Sequence, residues 1–196
     1  MAEVIDGILI NEVEAKNIMT KSSLPVGGYS VNPYVGCTHA CKYCYASFMK
    51  RFTGHKEEWG TFLDVKHWPE IKNPKKYAGQ RVVIGSVTDG YNPQEERFGN
   101  TRKLLEQLIG SDADILICTK SNLVVRDIDL LKRLGRVTVS WSINTLDENF
   151  KNDMDSASSI ERRIAAMKQV YDEGIRTGSA FRWLPPGISR RSRILR

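Results

Sequence analysis

No run of apolar residues in this 196-residue chain approaches the roughly 18–20 that a membrane-crossing helix needs. The first residues, Met1 to Asp6, carry neither a basic start nor an apolar stretch, so they do not read as a secretion signal. These absences lead us to expect a soluble, cytoplasmic protein that does not enter a membrane. Internal repeats are missing as well. With 41% apolar and 27% charged residues, the chain can bury one ordinary core and is short for two.

Acidic residues are absent from the last twenty positions. Residues 177–196 hold five arginines (Arg182, Arg190, Arg191, Arg193, Arg196) and no Asp or Glu, so most of the net charge of +6 sits there. The rest has 24 basic against 23 acidic residues, and a nearly neutral body gives no argument for a polyanion partner.

Cysteine is scarce but concentrated. Cys37, Cys41 and Cys44 fall within eight residues, and Cys118 stands alone. Three cysteines this close suit a metal or cluster better than disulfides, more so without a secretion signal. The spacing C-x3-C-x2-C lets one tight loop offer three thiolates to three irons of a [4Fe–4S] cube, leaving the fourth iron open to a small chelating molecule. A zinc site using His39 or His55 as fourth ligand and plain buried thiols are the alternatives.

The hydrophobic pattern alternates strand and helix. Residues 1–28 read as a polar, loosely packed lead-in, and Tyr29–Val35 as a strand running into the cysteines. Lys42–Phe52 reads as a helix, followed by an irregular stretch up to Gly79. Strands are expected at Arg81–Thr88, Ala113–Thr119 and Val137–Ile143. Helices are expected at Thr101–Ile109, at Val124–Leu134 (stopped by Gly135) and from a Ser158/Glu161 capping box to about Glu173. This order argues for right-handed βαβ units around a parallel sheet. In the last of these strands Thr138, Ser140, Ser142 and Asn144 share one face, opposite Val137, Val139, Trp141 and Ile143. A sheet covered by helices on both sides would be apolar on both. One polar face suggests the lining of a cavity, so the expected fold is α/β, and a curled, barrel-like sheet fits better than an open doubly wound one.

The segment Cys37-Thr-His-Ala-Cys41-Lys-Tyr-Cys44 at the end of a first strand resembles the radical S-adenosylmethionine (SAM) superfamily. Three stretches narrow this to its spore photoproduct lyase-like branch, and within it to the group called radical SAM mobile pair protein B. They are Tyr29-Ser-Val-Asn-Pro-Tyr-Val-Gly-Cys37, Gly85-Ser-Val-Thr-Asp-Gly-Tyr-Asn-Pro-Gln-Glu95 and Ser140-Trp-Ser-Ile-Asn144. The resemblance implies that Cys37, Cys41 and Cys44 ligate a [4Fe–4S] cluster and that Tyr43 and Tyr45 contact adenine. It further implies that Thr88, Lys120, Ser142 and Asn144 hold SAM. Strand parity agrees, since Thr88 shares a face with Ser86, Lys120 with Cys118 and Asn144 with Ser142. Such enzymes cleave SAM reductively and use the 5′-deoxyadenosyl radical to take a hydrogen atom from substrate, with the electron coming from a flavodoxin or ferredoxin. The lyases carry a hydrogen-donor cysteine where this chain has Ser86, which puts thymine-dimer repair by their route in doubt. Cys118 is the substitute donor, with Tyr43, Tyr45 and Tyr91 as other relays.

The substrate is unidentified, with nucleic acid among the candidates, and a co-encoded partner is implied. The resemblance implies that residues 29–176 form a partial TIM-like (β/α) barrel of the radical SAM type, with about four βα units and an incomplete fifth. Residues 177–196, with adjacent prolines and arginines, are not expected to form the fifth strand. They read as a disordered or out-of-frame tail on a truncated member, or as a basic arm for nucleic acid. A non-catalytic Fe–S or zinc redox protein and an inactive remnant are the competing readings.

Overall fold

The computed structural model describes residues 2–22 and 27–180. Its strands are β1 (Ala2–Ile5), β2 (Ile8–Glu14), β3 (Thr20–Lys21), β4 (Tyr29–Val31), β5 (Tyr34–Val35), β6 (Phe62–His67), β7 (Arg81–Ile84), β8 (Asp114–Thr119), β9 (Val137–Ser142) and β10 (Arg176–Ala180). The helices are α1 (Glu95–Phe98), α2 (Asn100–Leu108), α3 (Ile128–Leu134), α4 (Glu148–Met154) and α5 (Ile160–Asp172). No helix among the described residues is long and apolar enough to cross a membrane.

The main sheet runs β10-β9-β8-β7-β4-β3. Five of its strands, β4 and β7 to β10, are parallel, each laid beside the one before it in sequence. A doubly wound sheet reverses its strand order at a switch point, whereas this sheet advances in one direction as a (β/α) barrel does. The described residues form a partial barrel.

Burial along the strands explains which face is which. Ile115, Ile117 and Thr119 of β8 and Val137, Val139 and Trp141 of β9 are buried, while alternate residues stay half exposed. The buried set packs against Leu104, Leu105 and Leu108 of α2, Leu130 and Leu131 of α3, and Ala166 and Val170 of α5. Each such aliphatic side chain contributes ~1.5–3 kcal/mol on burial. The other face carries Thr138, Ser140 and Ser142, in register with Leu116 and Cys118 of β8. That is the polar inner wall read from strand parity.

Several expected elements differ. The lead-in is structured: β1 and β2 pair as a hairpin around Asp6-Gly7, whose φ values of 50° and 76° suit a type I′ turn. With β6 and β5 they make a second sheet of order β1-β2-β6-β5, packed around Ile10, Tyr34, Leu63 and Val65. Tyr29–Val35 is not one strand, because Pro33 has no N–H to continue the ladder. The chain changes sheets there, so β4 pairs with β7 and β5 with β6. Arg81–Thr88 is strand only to Ile84.

Other differences are local. The helix expected over Lys42–Phe52 is a 3-10 helix over Tyr45–Phe52, and Val124–Leu134 begins with a 3-10 stretch before α3. The cap of α5 is Ser159, whose hydroxyl accepts from Arg162 N–H, while the Ser158 hydroxyl pairs with Asn122. A fifth strand does form, as β10 on β9. The ladder uses backbone groups alone, and the small residues Thr177, Gly178 and Ser179 fit an edge strand. The prolines and five arginines of the expected tail lie outside the described residues.

Candidate functional site: the cysteine loop and its braces

The cysteines sit on a short loop leaving β5. Gly36 opens it with φ of +84°, and a Cβ there would stand 2.5 Å from the backbone oxygen of Phe62. Both the dihedral and the contact require glycine. Two tight turns wrap the loop, with Ala40 N–H donating to the Cys37 carbonyl and Cys44 N–H to that of Cys41. Lys42 N–H donates to the Met154 carbonyl and Ser156 N–H to that of His39, so the segment after α4 holds the loop from outside. Gly36→Ala is expected to cost about 2–3 kcal/mol and to lower the iron retained after reconstitution, read by denaturant unfolding and iron analysis.

Two buried carboxylates brace the loop. Asp89 accepts from Tyr91 N–H (2.9 Å), the Thr119 hydroxyl (2.9 Å) and Lys120 N–H (2.7 Å), and its Oδ2 lies 3.1 Å from His39 Nε2. One side chain thereby joins the cysteine loop to the end of β8. Burial alone would push its carboxyl up, but His39 and the N–H donors outweigh it and hold the pKa at about 2. Asp155, the second brace, accepts from the Tyr43 hydroxyl (3.0 Å) and from Arg163 (2.7 Å). Arg163 in turn donates to the Ser142 carbonyl at the end of β9. The Tyr43 hydroxyl is accordingly pushed up, first by burial and then by the Asp155 charge.

The residues expected at the site gather unevenly. Lys120 Nζ stands 5.7 Å from the centre of the Tyr43 ring and near enough to Cys41 to favour its thiolate, against the larger opposing effect of burial. Tyr43 and Asn144 line one small cavity with Asp155 and Arg163. The Tyr45 hydroxyl donates to the Ser86 carbonyl. Thr88 is buried and lies beyond the end of β7, so the parity that paired it with Ser86 does not apply. Its hydroxyl donates to the Gly36 carbonyl at 2.5 Å, and Ser86 faces Ser30 and Asn32 instead. Cys118 is half buried on the inner face, in register with Ser140. Tyr91 is in the core, its hydroxyl on Asp127, away from that face. Sequence reasoning undervalued Asp89 and missed Asp155 and Arg163, whose links to the site run to Tyr43 and to the Ser142 carbonyl, 112 and 21 positions away.

The donor set fits an iron–sulfur cluster. No cysteine is in a disulfide. Cys37 is buried with the N–H groups of His39 and Asp89 directed at it, although burial dominates and pushes the bare thiol up to about 12. Those N–H groups would steady a thiolate on iron. Thr38 Oγ1 and His39 Nδ1 on the loop, and Asn144 Oδ1 at the end of β9, are buried without a partner, which leaves them free to bond a ligand or a water. Among the described residues no three His, Cys, Asp or Glu converge as they would on a single ion. His39 is held by Asp89, and His55 by Glu57 and Asp64, which disfavours zinc. A cube gives each thiolate its own iron, so its ligands need not meet at one point.

Comparison with known proteins agrees. The model of the radical SAM superfamily matches residues 31–194. An uncharacterized protein of Methanocaldococcus jannaschii is 38% identical over 171 residues, covering 86% of this chain and 65% of that protein. A protein of Pseudomonas phage M6 named radical SAM Nα-GlyT isomerase is 25% identical over 167 residues, 84% of this chain and 33% of its own length. A mutant spore photoproduct lyase with bound AdoMet and dinucleoside spore photoproduct superposes with a TM-score of 0.65 at 18% identity, covering 87% of this chain and 50% of that one. At that identity the likeness is one of fold. The chain spans less than two thirds of the length of either of these relatives.

Proposed function

The chain belongs to the radical SAM superfamily, and from that premise we propose that it binds a [4Fe–4S] cluster through Cys37, Cys41 and Cys44 and cleaves SAM reductively. The observation that carries the reading is the braced loop: three thiols on a glycine-opened turn, tied by Asp89 to the strand end that presents Lys120. The cluster, when bound, supplies SAM with the electron that breaks its carbon–sulfur bond and frees a 5′-deoxyadenosyl radical.

The protein's own residues bind and orient. Lys120 supplies a point charge for the SAM carboxylate. Asn144 Oδ1, buried and unpartnered, accepts a hydrogen bond from the SAM ammonium or ribose, with the Ser142 hydroxyl beside it. Tyr43 and Tyr45 flank Cys44 and offer ring faces to adenine, while Thr88 fixes the loop from below through Gly36. Cys118, on the inner face, is the candidate hydrogen-atom donor. The bound dinucleoside of the lyase structure supports nucleic acid as the substrate class. A flavodoxin or ferredoxin would deliver the electron in the reducing cytoplasm. A co-encoded protein is the other partner that the resemblance implies.

The test is 5′-deoxyadenosine formation. Anaerobically reconstituted protein given dithionite and SAM should release it. A cluster that forms without product would favour a non-catalytic iron–sulfur protein or an inactive remnant. Lys120→Ala should weaken SAM binding about 10–100-fold, as loss of a charged hydrogen bond does, with iron content unchanged. An unaltered affinity would remove Lys120 from the SAM site.

A further inference from the structure

Lys120 is the first residue after β8, and its N–H is fixed on Asp89 at 2.7 Å. Its side chain is held differently. The ammonium lies over the ring of Tyr43, 5.7 Å from the centre, within the range of a cation–π attraction. The ring is itself anchored. The Tyr43 hydroxyl donates to Asp155 Oδ2 at 3.0 Å, and Asp155 Oδ1 accepts from Arg163 at 2.7 Å and from Ala157 N–H at 3.1 Å. The side chains of Asp155 and Arg163 are 3% and 2% exposed. Arg163 also donates to the Ser158 carbonyl at 2.8 Å and to the Ser142 carbonyl at 3.0 Å, so the pair is pinned between the start of α5 and the end of β9. A half-exposed tyrosine beside Cys44 therefore takes its orientation from a buried ion pair 112 positions along the chain. Through that one phenol the end of β8 is linked to the end of β9.

We propose that Tyr43 is a positioning residue: anchored on the Asp155–Arg163 pair, it holds the Lys120 ammonium where the SAM carboxylate is to be met. The inference rests on the SAM reading above and deepens it, since there Lys120 is a charge and Tyr43 a face for adenine, each acting alone. The physical argument is one of preorganisation. A lysine side chain is long and flexible, and it loses rotamer freedom when a ligand fixes its ammonium. Where a ring already restricts that ammonium, part of the loss is met on folding, and SAM binds more tightly for the same contact. Lys120 occupies one face of the ring, and the other is left for adenine.

The experiment is a double-mutant cycle on Tyr43→Leu and Lys120→Ala, with Tyr43→Phe beside it. SAM is titrated into reconstituted, dithionite-reduced protein, and binding is followed by the change in the electron paramagnetic resonance spectrum, with iron content checked for each variant. Tyr43→Leu should weaken SAM binding by a factor about three- to tenfold larger where Lys120 is present than where it is alanine. Tyr43→Phe keeps the ring and loses only its anchor, so its affinity should fall between those of the unaltered chain and Tyr43→Leu. The cluster-free proteins are also unfolded in denaturant. There the stability lost in the double variant should be smaller than the sum of the two single losses, because one contact is removed once. An equal weakening by Tyr43→Leu in both backgrounds would overturn the proposal and leave the ring to adenine alone. Strictly additive stability losses in the cluster-free protein would overturn it as well. If the spectrum of the unaltered protein ignores SAM, the SAM reading fails, and the denaturant cycle still decides whether Tyr43 holds Lys120.

Discussion

Cys41→Ala is expected to abolish both cluster retention and SAM cleavage. Cys41 lies in the middle of the ligand triad, and its carbonyl accepts the turn hydrogen bond from Cys44 N–H, which alanine keeps. The backbone should therefore fold unchanged while one iron loses its only protein thiolate. Two cysteines cannot hold an exposed cube, so iron bound after reconstitution should fall from near four per chain to below one. Production of 5′-deoxyadenosine should drop by about 10^3-fold or more. Iron analysis and chromatography check the two outcomes, and near-unchanged circular dichroism separates them from misfolding. Retention of a full cluster by the variant would show that the third ligand lies elsewhere.

The second large effect is at Asp89. Asp89→Ala removes an acceptor used by three separate segments and leaves Thr119, Lys120 N–H and His39 without it in a buried setting. Breaking a buried charged network in this way costs about 3–5 kcal/mol, measurable as a lower denaturant midpoint of the cluster-free protein. Asp89→Asn keeps an acceptor but adds donors, and should lose part of that amount. The carboxyl also has a pH signature. Its folded pKa of about 2 lies below the ordinary unfolded value of ~3.9. Its contribution is therefore complete at neutral pH and is lost as pH falls from about 4 through about 2. Acid unfolding of Asp89→Asn should show a shallower slope over that interval.

Much of the frame could be read from local pattern. The alternation in Val137–Asn144 distinguishes an inner polar face from an outer apolar one, and the structure buries those residues accordingly. The leucines of α2 repeat at helical spacing, and the C-x3-C-x2-C spacing marks the loop before any coordinates. The second sheet escaped notice although one signal for it was present. Asp6-Gly7 between Val4-Ile5 and Ile8-Leu9-Ile10 is a strong hairpin signature, passed over because residues 1–28 taken together are mixed and polar. The strand Phe62–His67 pairs with β2, some fifty residues away, and no periodicity in an isolated Trp- and Lys-rich stretch reveals that. Asp89 looked like a turn residue because Thr-Asp-Gly is turn chemistry. Its function comes from partners 30 and 50 positions away. The strand at Arg176–Ala180 formed against expectation because an edge ladder needs backbone groups and small side chains rather than an apolar run.

The central claim is that three cysteines hold a [4Fe–4S] cluster whose open iron takes SAM. The most direct measurement is the electron paramagnetic resonance spectrum of the anaerobically reconstituted, dithionite-reduced protein with and without SAM. The account predicts a reduced [4Fe–4S] signal whose shape shifts when SAM is added, and a shift that Lys120→Ala displaces to higher SAM concentration. A protein that takes up no cluster, or whose signal is indifferent to SAM at any concentration, would contradict it.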